Sequence, residues 1–429
     1  MISLGSLKNK IISIYKKNEL FCNLAILTIL FFLNCFMWEM SFATFSFLFV
    51  FVMISNIANG FTYIVYTIPF CMVGGEISGY LYIAVFATYV LKGYVKLIFI
   101  DKLKLDKKFL IVFLIFAVYL LLPFDGINGY NDQLIIKFIV VIGLMLFALL
   151  MTKYPKEFRI KINVNICAVA LVISVMFFGT YFISDHLQNI TKLFYVGDFI
   201  RFQALLTNPN ILAMACEICL ALLVYFILSS KISWVEIVSF VIFAVVGFST
   251  MSKTFLILLT IMLIVLILYF LIKKPFYALC LITSLCAIVV LLVAIKPDMF
   301  LTYFERFVKT SGDSGIDNPF DWAMSHLTTG RYDLWLSYIQ YMLQYPMTLF
   351  FGATLGAGQL GGNSPHNIYI SSFYQFGLIG TIIFFTAIIL LCKDFKKNHP
   401  LMISKWIVIP IIIMAMLVCV EDLFMFIYD

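Results

Sequence analysis

Charge is what this chain has least of. Only 12% of its 429 residues are Asp, Glu, Lys or Arg, while 63% are hydrophobic. A soluble domain carries about 25% charged residues. A chain this apolar could not cover itself with a polar surface, so a soluble globular fold is excluded. Chemical signatures are missing too. No Gly-Lys-Ser/Thr triplet occurs, which removes the phosphate-cradling loop of ATP and GTP enzymes. The four histidines show neither H-x-x-x-H nor H-E-x-x-H spacing, and no D-x-D pair offers carboxylates to a metal-held nucleotide sugar. Asp313, Asp317 and Asp321 lack EF-hand spacing and read as a solvated acidic stretch. The ten cysteines lie in or near apolar segments, without the loop spacing of a disulfide framework. Cys216 and Cys219 form a C-x-x-C inside an apolar run, where small apolar-like residues are expected. No internal repeat or low-complexity linker divides the sequence, which reads as one membrane domain over 1–429 with no metal site.

What the sequence does have is apolar length. About 20 apolar residues span the hydrocarbon core of a bilayer, and such runs recur along the whole chain. They lie near 20–38, 41–56, 60–75, 78–99, 109–124, 132–152, 164–184, 207–229, 233–249, 254–272, 276–296, 367–392 and 402–423. The fold class expected is all-α: a polytopic integral membrane protein of about 12–13 transmembrane helices. The stretch 41–75 reads as two short helices broken around Asn56, Asn59 and Gly60, or as one long kinked helix. Lys8, Lys10, Lys16 and Lys17 precede the first run. That run is too long for a signal-peptide core, and Ser41-Phe42-Ala43 is a poor cleavage site, so a retained first helix is expected.

Most of the 29 basic residues fall in alternate loops, at 8–17, 92–108, 153–161, Lys231, 273–274 and 393–405. The positive-inside rule assigns that set to the cytoplasm. Lys192, Arg201, Lys253, Lys296, Arg306, Lys309 and Arg331 then lie on the opposite side. Keeping 8–17 and 92–108 on one side favours two helices within 41–75, and 13 spans with the C-terminus outside. Twelve spans remain open if the last helix is short or doubles back. The net charge of +7 is mostly this topological signal, with some attraction to anionic lipid headgroups, and implies no nucleic-acid partner.

Two outward segments interrupt the apolar pattern. One is 185–206, which leads through Asp198, Arg201 and Gln203 to Thr207-Asn208-Pro209-Asn210. The other is the long extracytoplasmic loop 297–366, roughly 70 residues; loops of this size are usually functional or separately folded. Its second half has helical apolar spacing over 331–345, ending at Pro346. A glycine-rich run from Gly352 to Asn363 follows, then Ser364-Pro365-His366-Asn367 at the edge of the next span.

Cations on the outer side are disfavoured by topology and therefore informative. Arg201, Lys253 and Arg331 each precede an apolar or amphipathic segment. They read either as interfacial side chains snorkelling to lipid phosphate or as a cluster that holds an anion. Guanidinium forks grip phosphate oxygens in pairs, and an ammonium adds a mobile point charge. His366 is the best catalytic candidate, because a neutral imidazole at the membrane edge can take a proton from a hydroxyl. Its alternative role is to cap the helix that follows. His186 and His326 have no supporting pattern, and His399 falls on the cytoplasmic side. Gln203, Asn210 and Asn367 are supporting candidates beside these residues. Glu217 lies mid-span, where an ionised acid is costly; it lines a substrate path or pairs with another helix. Lys137 poses the same question, and Glu421 and Asp422 end the last apolar run near the outer face.

Taken in order, Arg201-Phe-Gln through Asn208-Pro-Asn210-Ile-Leu-Ala, Ser252-Lys253, Gly330-Arg331 with Leu334-Trp335, Ser364-Pro365-His366-Asn367-Ile368-Tyr369 and Gly377-Leu-Ile-Gly380 resemble the O-antigen polymerase and O-antigen ligase family. The resemblance runs from about 110 to 395. It implies a glycosyltransferase of the bacterial cytoplasmic membrane, facing outward, which takes sugars from polyprenyl carriers without metal, nucleotide or other cofactor. Arg201 and Arg331 would hold the lipid-linked pyrophosphate, and His366 would deprotonate or orient the attacking hydroxyl, with inversion at the anomeric carbon. Lys253 stands where ligases of the family usually have Arg, which keeps the charge but loses the fork and favours a polymerase. The implied substrate is an undecaprenyl-pyrophosphate-linked oligosaccharide, and a chain-length regulator is a further partner. A ligase, or a non-enzymatic flippase or exporter of lipid-linked glycans, is the alternative.

Overall fold

The computed structural model describes 18–122 (apart from 38–39, 68–69, 71–75 and 103–104), 132–154, part of 166–176, 194–202 (apart from 197–198), 209–229, 234–295, 331–353, 360, 365 and 367–398. Within these residues the chain is helical, as its apolar runs demand. A bilayer core offers no water to backbone groups, so a spanning segment must satisfy them within itself. The helices are α1 (Glu19–Phe36), α2 (Ser41–Ile54), α3 (Ile57–Thr67), α4 (Glu76–Val95), α5 (Lys107–Leu120), α6 (Asp132–Lys153), α7 (Pro209–Ser229), α8 (Trp234–Ser249), α9 (Lys253–Lys273), α10 (Pro275–Ile295), α11 (Arg331–Gln344), α12 (Pro346–Phe351) and α13 (Ile368–Asn398). By length and composition, three described helices can cross a membrane: Ile77–Ile100, Lys253–Lys273 and Tyr369–Leu391. Shorter apolar helices include Glu19–Cys35, Ser41–Ile54, Phe138–Lys153, Pro209–Val224 and Trp234–Ser249. With these apolar helices, the chain is a membrane protein.

The sequence left an exception to all-α structure unseen. Phe194–Val196 (β1) pairs antiparallel with Phe199–Arg201 (β2), with Val196 opposite Phe199 and Phe194 opposite Arg201. Between the strands the sequence reads Gly197-Asp198, a residue pair favoured by two-residue hairpin loops.

The described residues fall into two compact units, one drawn from 1–105 and 140–173, the other chiefly from 106–139 and 174–427. In the first, α2 packs on α1, α3 and α4. Its interior is aromatic: Phe31 stacks on Phe70 at 5.0 Å and meets Phe45 edge-on at 5.4 Å. Hydrogen bonds cross between helices, from Asn23 to the Tyr63 hydroxyl (2.8 Å) and from Ser41 to Asn34 (2.9 Å). The chain does break within 41–75. Helix α2 stops before Ser55, and Asn56 accepts from the Asn59 backbone N–H at 2.8 Å to start α3. The Lys92 ammonium closes the C-terminus of α2 by donating to the carbonyls of Val52 and Ser55, a favourable place for a cation. Helix α3 has 11 residues, a length of about 16 Å against a bilayer core of about 30 Å. Its residues are buried on nearly all sides, so it is packed within this unit rather than exposed along a lipid-facing stripe.

In the second unit, α7 packs on α8 and α9, α9 on α10, and α5 on α13. Helices α11 and α12 pack on each other and on α13. Proline sets two of these boundaries. Pro346 stops α11, which ends at Gln344, and is itself the first residue of α12, the position where a missing N–H costs nothing.

Candidate functional site

Arg201 is the last residue of β2, and its guanidinium is turned inward: the residue is only 5% exposed. Its Nε donates to the Thr250 carbonyl at 2.8 Å, and a terminal nitrogen donates to Asn210 Oδ1 at 2.7 Å. The next residue, Phe202, donates its backbone N–H to the Ser249 carbonyl at 3.1 Å and is fully buried. The end of the hairpin is thereby stitched to the turn between α8 and α9. That turn is built for tightness. Met251 takes a positive φ of 53°, Thr250 donates to the Gly247 carbonyl, and Ser252 caps α9 by accepting from the Phe255 N–H. Lys253, partly exposed, is the first residue of α9. Arg201, Asn210 and the turn before Lys253 are thus brought together, although 52 positions of sequence separate Arg201 from Lys253.

Arg331 likewise opens a helix, α11, and is partly exposed. One turn on, the Trp335 indole N–H donates to the Pro365 carbonyl at 2.7 Å. Asn367, 4% exposed, caps α13: its Oδ1 accepts from the N–H groups of Tyr369 (2.9 Å) and Ile370 (3.2 Å). The capping role at this terminus therefore belongs to Asn367. His366 itself lies outside the described residues, as do Gln203, Glu421 and Asp422. The structure fixes the residues on either side of His366 and ties one of them to the helix that Arg331 begins.

A cluster of Tyr338, Met342, Ala353 and Tyr374 holds α11, α12 and α13 together, with Tyr338 and Tyr374 edge-on at 5.0 Å. Helix α13 is kinked at Gly377, whose φ of 62° and ψ of −175° are open in practice only to glycine. The backbone of Gly377 lies against that of Gly352: a Cβ on Gly377 would sit 2.3 Å from the Gly352 nitrogen. The start of the glycine-rich run after Phe351 and the segment Gly377-Leu-Ile-Gly380 meet at this crossing.

Glu217 is completely buried on α7, beside the buried Cys216. Its side chain faces protein, not lipid. Among the described residues, no three His, Cys, Asp or Glu side chains gather as metal ligands. Sequence reasoning missed the Thr250 carbonyl as the partner of Arg201, since a main-chain acceptor has no residue signature. It also missed Tyr119, whose only signal is a hydroxyl on a helix that is apolar beyond Lys107 and Lys108.

The family model for O-Antigen ligase matches residues 238–385 and supports the O-antigen ligase and polymerase family. The matched region contains Lys253, Arg331, His366 and Asn367, and leaves out Arg201, Gln203, Asn210 and Glu217. No curated protein and no solved structure matches the chain.

Proposed function

We propose that this chain, with its O-antigen ligase domain at 238–385, is a polysaccharide polymerase. It joins undecaprenyl-pyrophosphate-linked repeat units on the outer face of the bacterial cytoplasmic membrane. The observation that carries the reading is the Trp335–Pro365 hydrogen bond, which ties the helix opened by Arg331 to the backbone flanking His366. It couples a candidate phosphate ligand to a candidate base within the matched domain.

The reaction follows from those two roles. The terminal hydroxyl of an incoming lipid-linked unit attacks the anomeric carbon of the growing glycan. A new C–O bond forms on the face opposite the one that breaks, so the configuration inverts. His366 takes the hydroxyl proton, and undecaprenyl pyrophosphate leaves with the bonding pair. Negative charge grows on the leaving oxygen, so preorganised cations stabilise the transition state more than the ground state. Arg331, Lys253 and Arg201 supply that charge. Two of the three are first residues of helices, where backbone N–H groups and the helix dipole also favour an anion. No step calls on a metal, and turnover is expected to survive a chelator.

The test uses the purified full chain in vesicles with an undecaprenyl-pyrophosphate-linked repeat unit. Ladder formation that His366→Ala abolishes, with unchanged membrane insertion, is the expected result. A normal ladder from that variant would remove His366 from the chemistry. The description of the matched family, O-Antigen ligase, supports a second reading as a ligase, which would transfer finished glycan to an acceptor such as a lipid A core. Adding that acceptor separates the two: a ligase makes one transfer and no ladder. A flippase or exporter would move the lipid-linked unit without forming any bond.

A further inference from the structure

The break in α13 raises the question of where its carbonyls go. A helix interrupted at Gly377 leaves the preceding turn without its ordinary N–H partners. Two of those carbonyls are taken up by other elements. Tyr374 accepts from the Ala353 N–H at 2.8 Å, and Phe376 accepts from the Tyr119 hydroxyl at 2.8 Å. The same hydroxyl lies 2.8 Å from the carbonyl of Phe351, the last residue of α12. A single side chain from α5 therefore joins the end of α12 to the end of the arm 368–376. Gly380 leaves room for it, because a Cβ there would come 2.4 Å from Tyr119 Cε1. One turn earlier on α5, Phe116 seats edge-on against Phe376 at 5.6 Å.

We infer that Tyr119 is a positioning residue: its hydroxyl fixes the break at Gly377 and hence the direction in which the arm presents Asn367, the neighbour of His366. The arm is a helix of little more than two turns, capped at one end by Asn367 and held at the other by this clasp. Rotation at Gly377, which glycine permits, would swing the far end most. Tyr119 resists that rotation by sharing its single hydroxyl proton between the two carbonyls. The kinetic part of this inference rests on the polymerase reading; the structural part does not.

Tyr119→Phe removes the hydroxyl and keeps the ring. In the full chain in lipid nanodiscs, hydrogen–deuterium exchange of the Tyr369–Phe376 amides is expected to rise severalfold, with unchanged expression. In vesicles, kcat is expected to fall roughly 10–100-fold, the scale of an ångström-size misplacement, with KM for the lipid-linked unit little changed. Gly380→Ala, which displaces the ring but spares the hydroxyl, should loosen the arm in the same way. Wild-type exchange across the arm in Tyr119→Phe would overturn the inference, whatever the activity. Raised exchange in a protein whose wild type makes no polymer would uphold the clasp and sink the polymerase reading instead.

Discussion

The indole N–H of Trp335 is hydrogen-bonded to the carbonyl of Pro365 at 2.7 Å, across 30 positions of sequence. Pro365 is buried, and it immediately precedes His366. A proline offers only its carbonyl to the backbone network, so this bond is how the segment before α13 is anchored from α11. The bond ties the residue before His366 to the helix that Arg331 begins.

Trp335→Phe keeps an aromatic ring and deletes the donor. A hydrogen bond of this kind contributes about 0.5–1.5 kcal/mol, and leaving the Pro365 carbonyl unsatisfied adds about 1–3 kcal/mol. The expected outcome is a modest fall in melting temperature with a larger proportional fall in kcat. Equal kcat in the variant and the wild type would show that the tether does not place the base.

Arg201 leads to a different expectation from the one its charge alone suggests. Its guanidinium is buried and spans two acceptors, Thr250 O and Asn210 Oδ1. A lysine keeps the charge but cannot hold both at the angles of a planar fork. Arg201→Lys is expected to lose about 1.5–3 kcal/mol, the scale of a hydrogen bond to a charged group, and to loosen the turn before Lys253. Thermal melts in detergent measure the first effect, and activity the second. A variant that melts like wild type but is inactive would assign Arg201 to substrate alone.

The helices were legible in the sequence because hydrocarbon imposes one simple rule on every spanning segment. The break at Asn56 was legible too, since a side-chain oxygen there competes with the helix for the Asn59 N–H. The hairpin 194–201 was not, because three-residue strands carry almost no periodicity and depend on Phe202 pairing with Ser249. At the candidate site, charge against the topological rule singled out Arg201, Lys253 and Arg331. What each one touches was hidden. Arg201 binds a main-chain carbonyl, and the Gly352–Gly377 crossing joins backbones with no side chain to announce it. Asn367 was named for its neighbour His366, while its own task is to cap α13.

Lys253 opens α9 at a position where a cation is unfavourable. The helix dipole places positive charge at that end, and a like charge there costs about 0.3–1 kcal/mol. The helix dipole alone would favour a neutral or acidic residue after the Ser252 cap. If the lysine is kept for an anionic substrate, its removal must cost activity out of proportion to its effect on stability. Lys253→Gln is expected to lower polymerisation by more than any change in melting temperature explains, chiefly through weaker use of the lipid-linked pyrophosphate. Lys253→Arg restores the charge and adds a fork, so it should recover most of the activity. A Lys253→Gln protein that is destabilised yet fully active would return this residue to a structural contact at the lipid interface. The same comparison at Arg331, also the first residue of its helix, distinguishes a shared anion site from a single unusual lysine.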